Sequence, residues 1–553
     1  MLDAGPLVKA RETLRVFANS RPSLGELLAN RRSRFERIHA ILPSTAVVGE
    51  EVELLVQAWD QCERLIDGFD GAVRLSSTDP EADLPGRISF PAANGGVTTE
   101  AGLRFGRPGI HYLTLERVGT GERFHTNPVV VHEEEPDRRL YWGDIHLHSR
   151  LSDGTGSMAR GLRYGRDVMG LDVAAYTDHD TMGFFIPPSL QRRRMHRRYF
   201  DQMRETTAAF HDEGDFVTLF GYEWTKQPNR GGHINVYFDG VEETVLYDSH
   251  APESNTYEAL WDRLREWQAG RDARVLTVPH HPAEAMYPFD FSAVEYDDEL
   301  APLVEVYSQW GSSERPASDG NRYPLAMGQG EVDEPGHYVQ DLLAMGYRVG
   351  MNASADYHGP HPGHSLIHTR PHLPALREWL RDGLGWGSIW RVWDEGSYAG
   401  GLHAFEATDL TRESIFDAME QRRVYGTTQP DRIVVDFRVA GAPVGSEVAV
   451  ASENAPRDVA VTVAGTGPIE RATVVKNNEP WREVESPDDG GDGPRARRVV
   501  ERTWTDDVPV TGLSWDDDRG TEADVYYVRV SQTDGGAAWA GPTWVAPSDR
   551  GVE

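Results

Sequence analysis

The chain predicts a mixed α/β core flanked by two β-rich regions. Between residues 137 and 430, apolar strand-like runs alternate with helical stretches. On either side, over residues 37–136 and 431–553, short alternating runs are separated by Gly, Asp and Asn turns, as in antiparallel sheets. The third observation is size: 553 residues with 39% hydrophobic content suffice for several domains, at roughly 100 to 200 residues each.

Taken in order, Leu2 to Phe35 places apolar residues at helical spacing with arginines between them, which predicts a helical segment over residues 1–36. Ala46 to Val56 alternates like a strand, and turns recur until Pro128-Val129-Val130-Val131, predicting a small β-sandwich. Glu133-Glu134-Glu135-Pro136-Asp137 is a charged break and a linker candidate. The central runs are Tyr141–Ile145, Val173–Thr177, Phe216–Phe220, Val275–Val278, Leu303–Tyr307 and Val349–Ser354. Polar residues gather just after them, at the carboxyl ends of the strands, where α/β folds place their active sites. From Asp431 to Val545 the pattern is strand-like again, around a Gly/Asp-rich loop at Asp488–Gly493, which predicts a second sandwich-like domain.

Composition narrows the function. The formal charge is -32, and lysine occurs only at Lys9, Lys226 and Lys476. Such a surface repels nucleic acid over most of its area. Abundant acid with scarce lysine resembles proteins adapted to concentrated salt, although a GC-rich genome also replaces lysine with arginine. No apolar run approaches the ~20 residues that span a bilayer, and the start of the chain lacks the apolar core of a secretory signal, so a cytoplasmic location is expected. Cys62 is the one cysteine, which excludes an internal disulfide and a cysteine-based zinc cluster. There is no HExxH, GxSxG, P-loop or GxGxxG sequence.

What remains is a series of histidines and carboxylates at strand ends. Gly143-Asp144-Ile145-His146-Leu147-His148-Ser149 is followed by Ser152-Asp153-Gly154. Residues two apart on extended chain point to the same side, so both imidazoles can reach one metal ion. Tyr176-Thr177-Asp178-His179-Asp180 ends the next run, and a flanking carboxylate can orient the His179 ring through its second nitrogen. Glu223 follows the Phe216–Phe220 run, where a carboxylate can bridge two metals. Then come His233, the pair His280-His281 before Pro282, and Asp356-Tyr357-His358. Each is weak alone; together, at the ends of successive strands, they point to a metal site. Nitrogen and carboxylate donors without thiolate leave zinc, manganese and iron as candidates.

The HxH with its SDG, then TDHD, a strand-end Glu, a strand-end His and a final DxH resemble the successive motifs of the PHP (polymerase and histidinol phosphatase) superfamily, from His146 to His358. More narrowly, Leu140–Gly154, Gly359–Gly363, Gly401–Thr428 and Tyr526–Trp544 resemble the family called domain of unknown function 3604, over nearly the whole chain. The resemblance implies a distorted (β/α) barrel at the centre and metallohydrolase chemistry with two or three divalent ions. It implies that His146, His148 and Asp356 hold one ion, bridged by Glu223 to a second held by His233 with His280 or His281. Asp153, His179 and His358 would surround a third. Spacing after the preceding proline favours His280, the His-Pro step favours His281, and both stay candidates.

The expected activity is hydrolysis of a small, anionic phosphate ester, with no nucleic-acid or membrane partner. A carboxyl or carbamate ester is the alternative substrate, and a catalytically inactive binding protein is the other class of reading. Asp178 and Asp180 are candidate proton donors or supports for His179, Glu223 is a candidate catalytic residue, and Arg150, Lys226 and Arg230 are candidates to receive phosphate oxygens. Trp310, Trp386, Trp390 and Trp393 are candidates to line a substrate pocket.

Overall fold

A computed structural model describes residues 11, 14–15, 22–326, 328–392, 398–486, 495 and 497–548. The helical segment expected over residues 1–36 lies largely outside the described residues, apart from the helix Leu24–Ala29. Trp393 and the loop Asp488–Gly493 also lie outside them.

The chain is mixed α/β and rich in sheet. Residues 35–132 form three small sheets, almost wholly antiparallel, around an apolar cluster of their own that runs from Ile38 to Val131. The central strands build two larger sheets. In the first, Arg139–Asp144, Val173–Ala174 and Val217–Thr218 run parallel, and Gly401–Ala407 pairs antiparallel to Arg139–Asp144. In the second, Phe220–Thr225, His233–Phe238 and Val275–His280 are antiparallel neighbours, followed in parallel by Leu303–Ser308 and Gly350–Ala353. The ladders form two open sheets, split at Leu219, between Val217–Thr218 of one and Phe220–Thr225 of the other. Single bridges, His179 to Glu223 and Leu147 to Tyr357, join the two sheets.

Every residue of Phe220–Thr225, His233–Phe238, Val275–His280 and Leu303–Ser308 is buried, as expected for strands covered on both faces. Helices on the connections start at side-chain caps: Ser157 accepts from the Arg160 N–H, Thr256 from Ala259, and Thr411 from Ser414. The first sheet continues without a break beyond residue 430. Val424–Thr428 pairs with Ala537–Pro547, which leads to Asp524–Gln532, Ile469–Lys476 and Glu479–Val484. One apolar cluster spans the central and C-terminal strands.

Candidate metal centre

The histidines and acids expected at strand ends converge on one buried cluster, although Glu223 lies within the strand Phe220–Thr225 and His233 opens the strand His233–Phe238. Ile145 and Leu147 pack into apolar clusters, which leaves His146 and His148 on the opposite side of the chain. Past them the chain turns sharply to bring back Asp153, and Gly154 makes the turn possible, because a Cβ there would collide with the His148 carbonyl. His179 follows the short strand Val173–Ala174, Glu223 and His233 sit on paired strands, and His233 is opposite His280 in the register. Asp356 and His358 follow Gly350–Ala353. Two of these residues, His281 (φ 35°) and Asp356 (φ 51°), hold left-handed backbone conformations.

Glu223 is the hub. Its Oε2 lies 3.3 Å from His146 Nε2 and 3.0 Å from His148 Nε2. Its Oε1 lies 2.7 Å from His233 Nδ1, 3.3 Å from His280 Nε2 and 3.2 Å from His179 Nδ1. Asp356 Oδ1 stands 3.4 Å and 3.1 Å from His146 Nε2 and His148 Nε2. Asp153 Oδ1 stands 3.4 Å from His179 Nε2 and 3.3 Å from His358 Nε2. Donor atoms within 4.8 Å of one another fall into four groups: His146, His148, Glu223 and Asp356; His233, His280 and His281; His148, Asp153, His179 and His358; and His179, Glu223 and His233.

Burial opposes charge throughout the cluster, and mutual attraction overrides it for the acids. Despite burial, the neighbouring His179 foremost holds Glu223 well below the usual carboxylate range, and His146 with His148 does the same for Asp356. Burial would lower His146, but Asp356, Glu305 and Glu223 raise it well above its ordinary value. At His233 burial wins, and the ring is pushed down to about 4 against the pull of Glu223.

The donor set fits divalent cations. His233 Nε2 lies 3.0 Å from the Lys226 carbonyl while Nδ1 lies 2.7 Å from Glu223. A neutral ring carries one N–H, so one of these contacts sets a lone pair against an oxygen, and burial removes the doubly protonated ring at neutral pH. With Nε2–H donated to the carbonyl, a cation at Nδ1 resolves the conflict. His146 and His148 likewise turn Nε2 atoms toward each other at 3.3 Å, and among the described residues neither ring nitrogen of His280 makes a hydrogen bond.

Three further residues support the cluster: Glu305, which the sequence reading missed, and Trp310 and Trp386, which it had as pocket-lining candidates and which donate to the acids instead. Glu305 accepts from His146 Nδ1 at 3.1 Å and so aims Nε2 at Glu223. Its signal was available, since a carboxylate inside the apolar run Leu303–Tyr307 has to be paired. The indole N–H of Trp310 donates to Asp356 Oδ2 at 2.7 Å, and that of Trp386 to Asp153 Oδ2 at 3.0 Å. Trp310, Trp386 and Trp390 belong to one buried aromatic cluster, and Trp390 stacks edge-on against His358.

The remaining candidates sit elsewhere. Asp178 accepts from the backbone N–H and hydroxyl of both Ser149 and Ser152, so it holds the turn that carries Asp153. Asp180 accepts from the Thr225 and Ser249 N–H groups, and burial pushes it up to about 7. Neither belongs to a metal-holding group. Arg150 and Arg230 are exposed, while Lys226 donates to the Asn255 carbonyl and stands 4.6 Å over the Trp224 ring. Within the arginine-rich run 192–198, Arg192 and His196 pair with Asp248.

The fold and the cluster thus define a class: a mixed α/β protein with a buried histidine–carboxylate centre that could hold metal ions. The chain belongs to the family described as protein of unknown function DUF3604, whose pattern matches residues 166–314 and 341–498. It is 24% identical to an uncharacterized protein of Chlamydia pneumoniae over 522 residues, 92% of this chain and 74% of that one. It is 23% identical to an uncharacterized protein of Chlamydia trachomatis over 521 residues, with the same coverage. Among solved structures, a two-domain protein from Bacteroides vulgatus containing a predicted PHP-like metal-dependent phosphoesterase aligns at 13% identity. It covers 74% of this chain and 97% of that one, with a TM-score of 0.34.

Proposed function

We propose that the chain is a metal-dependent hydrolase of the PHP type acting on a small, anionic phosphate ester. The observation that carries the reading is the division of labour at Glu223, whose two oxygens face different histidine sets. Two or three divalent ions, zinc, manganese or iron, bound there would supply Lewis acidity and lower the pKa of water. His146, His148, Glu223 and Asp356 would hold one; Glu223, His233, His280 and His281 a second; Asp153, His179 and His358 a third. Glu305 and the Lys226 carbonyl set the ring orientations of His146 and His233, Trp310 and Trp386 anchor the carboxylates, and the aromatic cluster keeps water from their far side. We assign Asp178 and Asp180 to positioning, through the backbone they hold. On this reading the two bridged sheets are a distorted barrel within residues 137–430, and the flanking β-rich regions are sandwich-like domains.

A carboxyl or carbamate ester is the second reading, favoured by one observation: the three cations expected to receive phosphate oxygens are turned elsewhere, Arg150 and Arg230 being exposed and Lys226 donating to the Asn255 carbonyl. Protein purified without chelator should carry metal and hydrolyse phenyl phosphate, and activity confined to naphthyl acetate would replace the first reading by the second. Glu223→Ala should lower metal-dependent turnover by on the order of 100-fold or more. A variant with undiminished turnover would remove Glu223 from the centre.

A further inference from the structure

A second polar site lies where the segment after Trp310 meets the C-terminal strands. A half-enclosed cavity of about 270 Å³ opens there, room for roughly nine waters at about 30 Å³ each. Its wall carries Arg315, Arg322, Arg471 and Arg529 against Glu314, Glu470 and Glu483, a formal balance of plus one in a chain of net charge -32.

The carboxylates are already committed. Glu470 pairs with Arg322, and Glu483 lies 3.3 Å from Arg471. Glu314 is buried and accepts from the Tyr527 hydroxyl at 2.7 Å and the Trp539 indole at 2.9 Å. The guanidinium groups of Arg315 and Arg529 are not. Arg315 donates once, to the Gly320 carbonyl, and has no ion pair among the described residues, while its Nε is buried without an acceptor. Arg529 brings its Nε within 3.4 Å of Glu314 Oε1, an ion pair short of a hydrogen bond, and its two Nη groups make no hydrogen bond among the described residues.

We propose that this cavity is a binding site for a small oxyanion, a molecule bearing a carboxylate or a phosphate group, gripped by Arg315 and Arg529. The planar guanidinium fork matches two oxygens of either group, and both arginines line a space of suitable size with donors to spare. The site is separate from the histidine cluster. It nonetheless shares a segment with it: Trp310 holds Asp356, Ser312 and Tyr323 pair across the excursion, and Ala326 returns to the Trp310 carbonyl. An occupant would therefore clamp the tip of the segment whose base supports the metal centre.

The test is titration calorimetry on the full chain with inorganic phosphate and, separately, succinate. Saturable binding of at least one probe is expected, retained in Glu223→Ala and weakened at least tenfold in Arg315→Gln and in Arg529→Gln. Whichever probe binds identifies the oxyanion class. Arg471→Gln, on the exposed rim, should weaken binding several-fold and guards against a buried-arginine variant that does not fold. Binding lost in Glu223→Ala but unchanged in the arginine variants would place the anion at the metal centre and overturn the proposal, as would no saturable binding of either probe.

Discussion

The Trp310 side chain shows how a single donor governs the centre. Its indole N–H is 2.7 Å from Asp356 Oδ2, and the ring packs in an aromatic cluster with Trp386 and Trp390. Trp310→Phe keeps most of the packing and deletes the donor. Metal affinity, measured by chelator competition, should fall about 10- to 100-fold. Unchanged affinity would show that Asp356 needs no anchoring. Glu284 offers a test of a different kind. Burial pushes its carboxyl up to about 8, against the lowering effect of the Met286 and Tyr287 N–H groups. Because the folded value exceeds the unfolded one, the native state keeps a proton that the unfolded chain has lost. Its stabilisation is complete below about pH 4.5 and disappears as pH rises toward 8, at about 1.4 kcal/mol per pH unit. Glu284→Gln should flatten the decline of the urea midpoint between pH 5 and 8; an unaltered slope would mean that Glu284 is ionised in the fold.

Among the elements, the strand Arg457–Ala464 is instructive. Its valines alternate inward, as a half-buried strand requires, but its first residue, Arg457, is wholly buried as well. The guanidinium lies 3.0 Å from Asp506 and 2.7 Å from Asp524, and Lys476 stands 2.9 Å from both acids. Two cations and two carboxylates therefore close a buried network across Arg457–Ala464, Val499–Asp506, Asp524–Gln532 and Ile469–Lys476. Arg457→Met leaves the acids with one cation, and the loss should be about 3–5 kcal/mol in urea unfolding. A loss below about 1 kcal/mol, the range of exposed pairs, would contradict the buried network. From the alternation alone the strand is legible, whereas the arginine at its start reads as an ordinary surface charge.

For the whole molecule, the decisive feature is the sheet that crosses residue 430. Tyr425 and Gly426 pair with Ala540 and Trp539, and Glu314 takes hydrogen bonds from Tyr527 and Trp539. A chain ended at residue 430 would leave the fully buried strand Val424–Thr428 as an open apolar edge. Such a fragment should aggregate on expression while the full chain stays dispersed, aided by its net charge of -32. A soluble, monomeric 1–430 fragment in size-exclusion chromatography would show that the C-terminal strands are dispensable. Among the described residues no helix is long and apolar enough to cross a membrane.

Much of the centre was already written in short stretches of sequence. Strand-like runs ending in His146, His148, His179, Glu223, His280 and Asp356 need only the two-residue period of extended chain, and the absence of a usable thiolate set follows from one buried cysteine. Those are local properties of composition and spacing. Tertiary structure alone decided the rest: that the two oxygens of Glu223 face different histidine sets, that Glu305 and Trp310 hold His146 and Asp356, and that Asp178 grips the turn bearing Asp153. It also set Arg315 and Arg529 around an oxyanion-sized cavity, while Arg150 and Arg230 face solvent. The reason is distance along the chain. His146 and Glu305 are 159 residues apart, and their 3.1 Å contact exists only because two sheets, each built from its own periodicity, meet edge to edge.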